Sequence, residues 1–279
     1  MIELHLFRIK VYLPKQPNLF NVDISKKDVL RTILDSAPEC ELRKGHTWHI
    51  GNVNVIDDDS VYFAFGKTTL SKHSVYDDIR RDFIEKDYET SPYTHVFLDL
   101  KYQVLAIAKK TALGHNIKRI IGQLKKLLNG IYYIKTNGYQ IEISEITDPN
   151  DFINSISTSY SVSRFFMDFG MPNPWDVDKD FQKPLERLAA ESNAIKGNVS
   201  VFGDNLDKKL IKSIARSAAS TGNKGFAELR QIKDGPKIRS YLRENPAIIR
   251  FKDISNSIFK DVISKIRSEY ENLRQNQDG

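Results

Sequence analysis

Cysteine is almost absent from this chain, because Cys40 is the only one in 279 residues. A single thiol can form neither an internal disulfide nor a cysteine-based zinc site, which excludes the usual stabilising devices of small secreted domains. No recognisable helper arrangement accompanies this cysteine, and we interpret it as an inert thiol. These observations predict a cytoplasmic location.

Long apolar runs are also missing, and no stretch is long enough to cross a bilayer. The first residues, MIELHLFRIKVYL, alternate apolar and polar side chains, which predicts a strand and no signal peptide. Hydrophobic residues make up 40% of the chain and charged residues 28%, without any low-complexity segment. This composition is typical of a soluble globular protein with an adequate core.

Motifs for nucleotide chemistry and metal binding are absent as well. Neither GxxxxGK[ST] nor GxGxxG occurs, and Gly222 and Gly225 in STGNKGF are placed to end a helix and turn the chain. His46 and His49 lie in a strand-like run, where side chains three residues apart point to opposite faces, so a shared metal ion is disfavoured. We expect no cofactor and no small-molecule substrate.

One carboxylate pattern leaves an enzyme open as an alternative. VFLDLK places Asp99 and Lys101 two residues apart, with acidic residues at 57–59 upstream. Several metal-dependent nucleases use an acid–x–Lys strand with a second acid before it, because Mg²⁺ prefers hard oxygen ligands. Asp99 falls where we expect a hairpin turn, however, and turns commonly contain Asp and Lys. We predict that the protein is no enzyme, with a metal-dependent nuclease as the alternative.

The pattern of apolar residues predicts an α+β protein. The first 170 residues alternate strand-like runs with helices, including an amphipathic helix over 114–130. The stretch GMPNPWDVD contains two prolines, a glycine and an asparagine, which is typical of an interdomain joint. The predicted domains are an N-terminal α+β domain with a largely antiparallel sheet over 1–170, a linker over 171–178, and a mostly helical basic domain over 179–279.

Positive charge is concentrated in two segments of a chain whose net charge is +6. Residues 100–141 contain eight Lys or Arg and no acid, and residues 207–243 contain ten Lys or Arg against three acids. Such segregation suggests that a polyanion meets defined surfaces. The alternative is that these are solvated helix faces whose acidic partners come from other segments.

The start of the second segment predicts a basic helix. In DKKLIKSIARSA, Ile211 and Ile214 can face a core, while Lys208, Lys212 and Arg216 recur every four residues on the other side. Like charges at this spacing repel each other, so an exposed ridge of this kind favours an anionic partner such as the phosphates of DNA. No recognition-helix or zinc-finger pattern accompanies the helix, and base-specific recognition is not expected.

The rest of the segment predicts an irregular or β stretch over 226–243, on flexible, glycine-containing chain that can follow a duplex backbone. Its only aromatic residues are Phe226 and Tyr241, which disfavours a single-strand stacking platform and favours phosphate contact. An acidic protein partner remains an alternative, and a membrane surface is less favoured because the basic helices lack an exposed aromatic face. The predicted DNA-binding residues are Lys208, Lys209, Lys212, Arg216, Lys224, Arg230, Lys233, Lys237, Arg239 and Arg243, together with Lys118, Arg119, Lys125 and Lys126 on the helix of the first basic segment.

The order of several segments resembles the RexA family of phage exclusion proteins. The likeness covers roughly residues 27–273 at low identity, with gaps. It lies in the closing helix from Ile254 to Arg274 and in LRKGHTWHIGNVNVIDDDSVYFAFGKT, THVFLDLKYQVLAIAKK, DKKLIKSIARSA, GFAELRQIKD and SYL. None of these stretches is diagnostic alone, and their co-linear order carries the resemblance.

The resemblance implies a dimeric protein that binds double-stranded DNA without strong sequence preference, with a fold similar to that of the recombination-associated protein RdgC. It also implies a role in prophage-encoded exclusion of other phages, or in modulating the lysogenic switch, with a separately encoded membrane effector as a further partner. Basic residues of the family fall at Lys208, Lys209, Lys212, Arg216 and Lys233. Across residues 226–241 the likeness has gaps, so the roles of Arg230, Lys237 and Arg239 rest on the charge pattern.

Overall fold

The computed structural model describes residues 1–12, 25–170, 181–194, 196–242 and 245–274. The chain forms two compact units, each containing segments that are distant in the sequence. Unit 1 comprises Met1–Tyr12, Tyr102–Ala106 and Glu142–Gly279, and unit 2 comprises Leu13–Lys101 and Ile107–Ile141.

Helices and strands are interspersed along the chain, and the predicted α+β class with mostly antiparallel sheets is confirmed. In chain order the elements are β1 (Ile2–Tyr12), α1 (Lys26–Asp35), β2 (Glu39–Arg43), β3 (His46–Asp57), β4 (Ser60–Asp77), β5 (Asp82–Thr90), β6 (Tyr93–Asp99), β7 (Val104–Ala108), α2 (Ile117–Gly130), α3 (Tyr132–Thr136), β8 (Gln140–Glu145), α4 (Asn150–Thr158), β9 (Ser161–Gly170), α5 (Gln182–Glu191), β10 (Lys196–Phe202), α6 (Lys208–Ser220), β11 (Gly225–Arg230), β12 (Lys237–Leu242), β13 (Ile248–Phe251), a 3₁₀ turn at Asn256–Ile258, and α7 (Phe259–Arg274).

Unit 2 is built on antiparallel strands in the order β6-β4-β3-β2, with β5 also pairing β4. Phe65 of β4 lies opposite Ile50 of β3, and Phe63 of the same strand lies opposite Val96 of β6. Residues two apart on a strand share one face, so these apolar side chains form continuous buried rows. The predicted strands on either side of the turn at 57–60 are confirmed, whereas the long β4–β5 hairpin was not predicted.

Helix α2 has the apolar stripe that the sequence predicts. The Asn116 side chain begins the helix by accepting a hydrogen bond from the Arg119 backbone N–H at 2.9 Å. Spacings of three and four residues bring the apolar side chains to one face. The buried residues of the helix are Ile117, Ile120, Ile121, Leu124, Leu127 and Leu128.

Unit 1 contains a separate four-stranded antiparallel sheet in the order β10-β9-β11-β12. Strands β13, β1 and β7 form a second group of this unit, in which β8 also pairs β1. One face of the four-stranded sheet, here called the inner face, packs on α4, α5 and α6. Its buried side chains include Phe165 and Met167 of β9 and Ala227 and Leu229 of β11.

A β-bulge in β9 fixes which side chains reach the opposite face of this sheet. The register between β9 and β11 shifts after Glu228, so that Arg164 pairs with Glu228 while Val162 pairs with Leu229. The extra residue, Ser163, lets both Val162 and Phe165 point to the core, although they are three residues apart. Arg164, which precedes Phe165, and Phe166, which follows it, then point to the opposite face of the sheet, here called the outer face.

The predicted domain boundary at 171–178 lies outside the described residues, and the linker stays a prediction. The structure groups the neighbouring strands differently from the predicted domains. Strand β9, which precedes that segment, pairs along its length with β10 and β11, which follow it. The apolar pattern of a strand does not identify its pairing partner, so unit 1 draws on both sides of the predicted linker. After residue 181 it contains strands β10 to β13 besides helices α5, α6 and α7.

Candidate nucleic-acid interface

Four strands supply one row of charged and aromatic side chains across the outer face. Directly paired residues of antiparallel strands project to the same side. Arg164 of β9 lies opposite Phe202 of β10 and opposite Glu228 of β11. Glu228 in turn lies opposite Arg239 of β12. The row therefore joins an aromatic ring, two guanidinium groups and one carboxylate.

A second row on the outer face is mostly aromatic. Phe166 of β9 pairs with Phe226 of β11, and Phe226 pairs with Tyr241 of β12. The rings of Phe166 and Phe226 stack with 5.1 Å between centroids and 18° between planes. Tyr241 follows at 6.0 Å from Phe226 with a tilt of 53°. Half-buried rings in this arrangement make a continuous apolar strip across three strands.

The two arginines hold their guanidinium groups beside these rings. The Arg164 guanidinium lies 4.8 Å from the centroid of Phe202 and 5.2 Å from that of Phe226. The Arg239 guanidinium lies 4.9 Å from the Phe226 centroid. Guanidinium groups are attracted to the electron-rich faces of aromatic rings. Phe226 is thus flanked by two cations as well as by aromatic neighbours.

Glu228 contacts both arginines and helps to orient them. Because it carries a single negative charge, it neutralises only one of their two positive charges. Its Oε1 atom lies 2.9 Å from Arg239 Nη2 and 3.9 Å from Arg164 Nη1. Arg164 Nε also donates to Ser200 Oγ at 3.1 Å. Hydrogen bonds from Arg239 to Glu228 and to Tyr241 raise the pKa of Arg239 further above its ordinary high value. The trio keeps a net positive charge in a fixed geometry.

A cleft of about 790 Å³ opens beside the outer face, within unit 1. This basic cleft lies between the start of β9, the end of β10 and the turn that joins β11 to β12. Phe202 belongs to both the cleft and the outer face. The lining residues are Tyr160, Ser161, Ser163, Phe202, Gly203, Asp204, Asn205, Arg230, Lys233, Asp234 and Lys237.

Three predicted DNA-binding residues meet in the basic cleft. Arg230 and Lys237 are directly paired across β11 and β12, and Lys233 lies in the turn between these strands. Across the described ranges, no ion pair engages any of the three. Their positive charges, set against Asp204 and Asp234 of the same lining, are available to an anionic ligand.

The burial of Arg216 on helix α6 contradicts the exposed basic ridge that the sequence predicts. Arg216 is only 7% exposed, so the predicted ridge of Lys208, Lys212 and Arg216 is not a solvent-facing surface along its length. The helix packs on α4, α7 and β9, which covers more of its circumference than one apolar face. An arginine has a long apolar stem that can pack along such a surface. Leu210 of the same helix is exposed.

The lysines of α6 differ in their surroundings. The side chain of Lys208 donates a hydrogen bond to the Ser159 backbone carbonyl and is half-buried, as is Lys212. Lys209 is exposed. The helix begins at Asp207, whose carboxylate accepts a hydrogen bond from the Leu210 backbone N–H at 2.7 Å. DNA contact by these lysines stays a prediction.

The segment after α6 is an ordered hairpin, which agrees with the β alternative expected for residues 226–243 and not with a flexible loop. Strands β11 and β12 pair from Gly225 opposite Leu242 to Arg230 opposite Lys237. Lys224 precedes the hairpin and is exposed. Arg243, the last predicted DNA-binding residue of this segment, lies outside the described residues.

The other predicted basic residues lie on α2, which belongs to unit 2. Lys118, Arg119 and Lys126 are exposed, and Lys125 is half-buried. They occupy the arc of the helix opposite the buried stripe, as the spacing predicts. Their role in DNA binding stays a prediction.

Three functional candidates on the outer face were missed by sequence analysis: Arg164, Phe166 and Phe202. The signal for the first two lies in SRFFMDFG, where Phe165 and Phe166 are adjacent. Consecutive strand residues point to opposite faces, so one phenylalanine must leave the core side. The expectation of few aromatics near the basic segment was wrong, because distant strands bring Phe166 and Phe202 to Phe226 and Tyr241.

The acidic pattern considered for a nuclease does not form a metal site in the described part of the chain. Asp99 ends β6 and is fully buried. The upstream acids lie at the β3–β4 turn, where Asp59 forms an ion pair of 2.5 Å with Lys27. Over the described ranges no group of three or more His, Cys, Asp or Glu side chains is placed to hold a metal ion.

Neither a comparison with protein-family models nor a comparison with curated proteins found a match to this chain. None of the described helices is both long enough and apolar enough to span a bilayer. The candidate interface therefore rests on its own geometry: a basic cleft that adjoins a sheet face carrying aromatic rings and arginines.

Proposed function

We propose that the protein binds double-stranded DNA without sequence specificity, through the basic cleft of unit 1 and the adjoining outer face. The observation that carries this proposal is the convergence of Arg230, Lys233 and Lys237 in one concave site, free of ion pairs in the described chain. Concave basic surfaces concentrate polyanions near them. The ordered β11–β12 hairpin supports the site, since it holds the cations in place before DNA arrives.

The lining groups suit phosphate better than base edges. Lysine and arginine side chains, hydroxyl groups and backbone N–H groups are the usual partners of phosphate oxygens in protein–DNA complexes. The cleft offers lysine and arginine side chains, with hydroxyl groups on Tyr160, Ser161 and Ser163. No helix of the described chain presents polar side chains from this cleft in the manner of a recognition helix. The expected binding is therefore insensitive to base sequence.

The proposal includes the homodimer implied by the family resemblance. Two copies of the cleft would neutralise more phosphates than one, and about six to ten contacts would lower the affinity roughly a thousand-fold or more between low and physiological salt. The exposed lysines of α2 and α6 are further candidates for such contacts.

The test is fluorescence anisotropy with a labelled random-sequence duplex. Lys233→Glu combined with Lys237→Glu should weaken binding by at least ten-fold, because it reverses two charges in the cleft. The matched control is Lys260→Glu, which reverses an exposed charge on α7 outside the cleft and should have little effect. Equal affinity of the double variant and the wild type would overturn the cleft as the binding site.

Two additional arms separate the alternative functions. Titration in EDTA and then in Mg²⁺ detects a nuclease, since cleavage would lower the anisotropy only when the metal is present. No duplex binding even at low salt would reject double-stranded DNA as the ligand and favour an acidic protein partner for the same cations. The proposed outcome is tight binding that is steeply salt-dependent and indifferent to metal.

We further propose that this DNA binding serves prophage-encoded exclusion of other phages or modulation of lysogeny, which the resemblance to the RexA family supports. A cytoplasmic location and a separately encoded membrane effector belong to the same proposal. Plating efficiency of unrelated phages on a bacterial host that expresses the protein tests this role. The double charge reversal should restore plaque formation if exclusion needs the cleft, provided that both proteins are equally abundant.

A further inference from the structure

We propose that the outer face of the four-stranded sheet binds a single-stranded segment of DNA by stacking unpaired bases on Phe202 and the neighbouring arginines. This inference rests on the proposed DNA binding and identifies a preferred form of the ligand. It predicts that DNA with unpaired bases binds more tightly than a fully paired duplex.

Phe202 is the aromatic ring most open to solvent on this face, with 68% of its surface exposed. It lies at the last position of β10, an edge strand of the sheet. An exposed aromatic ring beside a guanidinium group can stack a planar ligand and attract its negative charge at the same time. One side of the ring is occupied by the Arg164 guanidinium, 4.8 Å from its centroid. Its remaining surface is open to a planar ligand.

Flat groups continue from Phe202 across the sheet. The Arg164 guanidinium contacts the rings of both Phe202 and Phe226. The Arg239 guanidinium, which comes from the strand on the other side of Phe226, also contacts the Phe226 ring. Nucleic-acid bases stack on aromatic rings and on guanidinium planes alike. Because Glu228 and Ser200 hold these arginines, little side-chain order has to be gained on binding.

The shape of the face selects unpaired bases. In a duplex the base faces are stacked on each other, so a ring on the surface of a sheet cannot reach them. A single strand exposes both its base faces and its phosphates. The outer face offers rings for the bases, and the basic cleft, which shares Phe202, offers cations for the phosphates of the same strand. The volume of the basic cleft, about 790 Å³, falls in the range of about 300–1,000 Å³ typical of ligand clefts.

Charge favours a nucleic acid over an apolar peptide as the occupant. Arg164, Arg230, Lys237 and Arg239 all lie on or beside the outer face. With Lys233 they outnumber the acids of the same surfaces, which are Glu228 on the face and Asp204 and Asp234 in the cleft. A neutral apolar ligand would gain nothing from these cations. We name DNA as the ligand of the outer face because the proposed function is DNA binding.

The test compares a labelled twenty-residue oligothymidylate with a duplex of equal length by fluorescence anisotropy. The wild type should bind the single strand more tightly at equal salt. Phe202→Ala should weaken single-strand binding about 5- to 100-fold, as expected for the loss of one stacked base, and should weaken duplex binding by a smaller factor, because the ring cannot reach paired bases. Phe202→Tyr should retain the affinity, and Phe202→Leu, which is apolar but cannot stack, should not.

The matched control is Leu188→Ala, which removes a comparably exposed apolar side chain from α5. It should bind both DNA forms as the wild type does. Exposed side chains are replaced in all these variants, so melting temperatures are expected to stay unchanged.

The possible results distinguish the stacking inference from the proposed DNA-binding function. Unchanged single-strand affinity in Phe202→Ala and Phe202→Leu, with duplex binding intact, would overturn the stacking inference and leave the proposed function standing. Absence of binding to both DNA forms would overturn both proposals. Tighter binding to oligouridylate RNA than to oligothymidylate would keep the stacking surface and reject DNA as its ligand.

Discussion

Arg216 shows how burial changes the role of a charged side chain. The sequence places it in a repeating row of cations, whereas the structure buries it together with the apolar residues of α6. The distinction matters for mutagenesis, because a charge reversal at a buried position lowers the stability of the folded protein. A loss of DNA binding in such a variant would then not identify a DNA contact.

Arg216→Glu is therefore expected to destabilise the protein on the order of 3 kcal/mol, because it leaves a carboxylate buried without a matched partner. Thermal unfolding followed by circular dichroism measures the effect. The control is Lys209→Glu on the same helix, which is exposed and should change stability by about 0.5 kcal/mol or less. An unchanged melting temperature for Arg216→Glu would show that the side chain is accessible to solvent after all.

Tyr12 provides a pH-dependent signal at the end of β1. Burial and then the negative charge of Glu142 raise the pKa of Tyr12 to about 12. The folded state thus favours the neutral phenol, and this contribution to stability is fully present below pH 10 and lost as the pH rises from 10 towards 12. Absorbance titration at 295 nm should show tyrosine ionisation near pH 12 that is lost in Tyr12→Phe. A Tyr12→Phe curve identical to the wild type would contradict the assignment.

At the scale of elements, the glycine after α6 is needed for the chain to turn into β11. Gly222 has φ +70°, and a Cβ atom there would lie 2.6 Å from the Cβ atom of Ser144. Gly222→Ala should therefore lower the free energy of unfolding by about 1–3 kcal/mol. Gly122 is the matched control, since it lies inside α2 with open space around it, and Gly122→Ala should be neutral or stabilise by about 0.5–1 kcal/mol. Chemical denaturation checks both, and equal effects at the two positions would refute the steric argument.

Most elements could be predicted from local patterns, because apolar spacing and caps act over a few residues. Ser25 begins α1 as expected, with its hydroxyl accepting from the Asp28 backbone N–H at 3.1 Å. The apolar stripe of α2 and the turn between β6 and β7 were also predicted correctly. Such signals determine what a segment is, but not which partner it pairs with.

The candidate site depended on information that local patterns lack. Arg164, Phe202 and Arg239 meet because β9, β10, β11 and β12 pair in one register, including a bulge. That register is determined by the packing of the whole inner face. The charge pattern of the sequence indicated Arg230, Lys233 and Lys237 as candidates, and their role in DNA binding stays a prediction, while their aromatic neighbours became visible only in the folded sheet.

At the scale of the whole molecule, the homodimer stays a prediction, and the β4–β5 hairpin is the surface of unit 2 that best suits it. Beyond residue 70 both of its strands are largely exposed, with apolar side chains at Tyr76, Ile79 and Phe83. Two-stranded hairpins are marginally stable in water without a further packing partner. Ile79→Asp combined with Phe83→Asp should convert a dimer to monomer in light scattering coupled to gel filtration. A wild-type monomer, or a double variant that stays dimeric, would exclude this contact.

Salt dependence tests the central claim most directly, because it counts the phosphates that the cleft neutralises. The measurement is the duplex dissociation constant at several salt concentrations for the wild type and for Lys233→Ala combined with Lys237→Ala. Each lost phosphate contact should reduce the magnitude of the logarithmic salt slope by about one, so the double variant should lose about two for each protomer that contacts DNA. Lys260→Ala should keep the wild-type slope. A double variant with the same slope as the wild type would contradict DNA binding at this cleft.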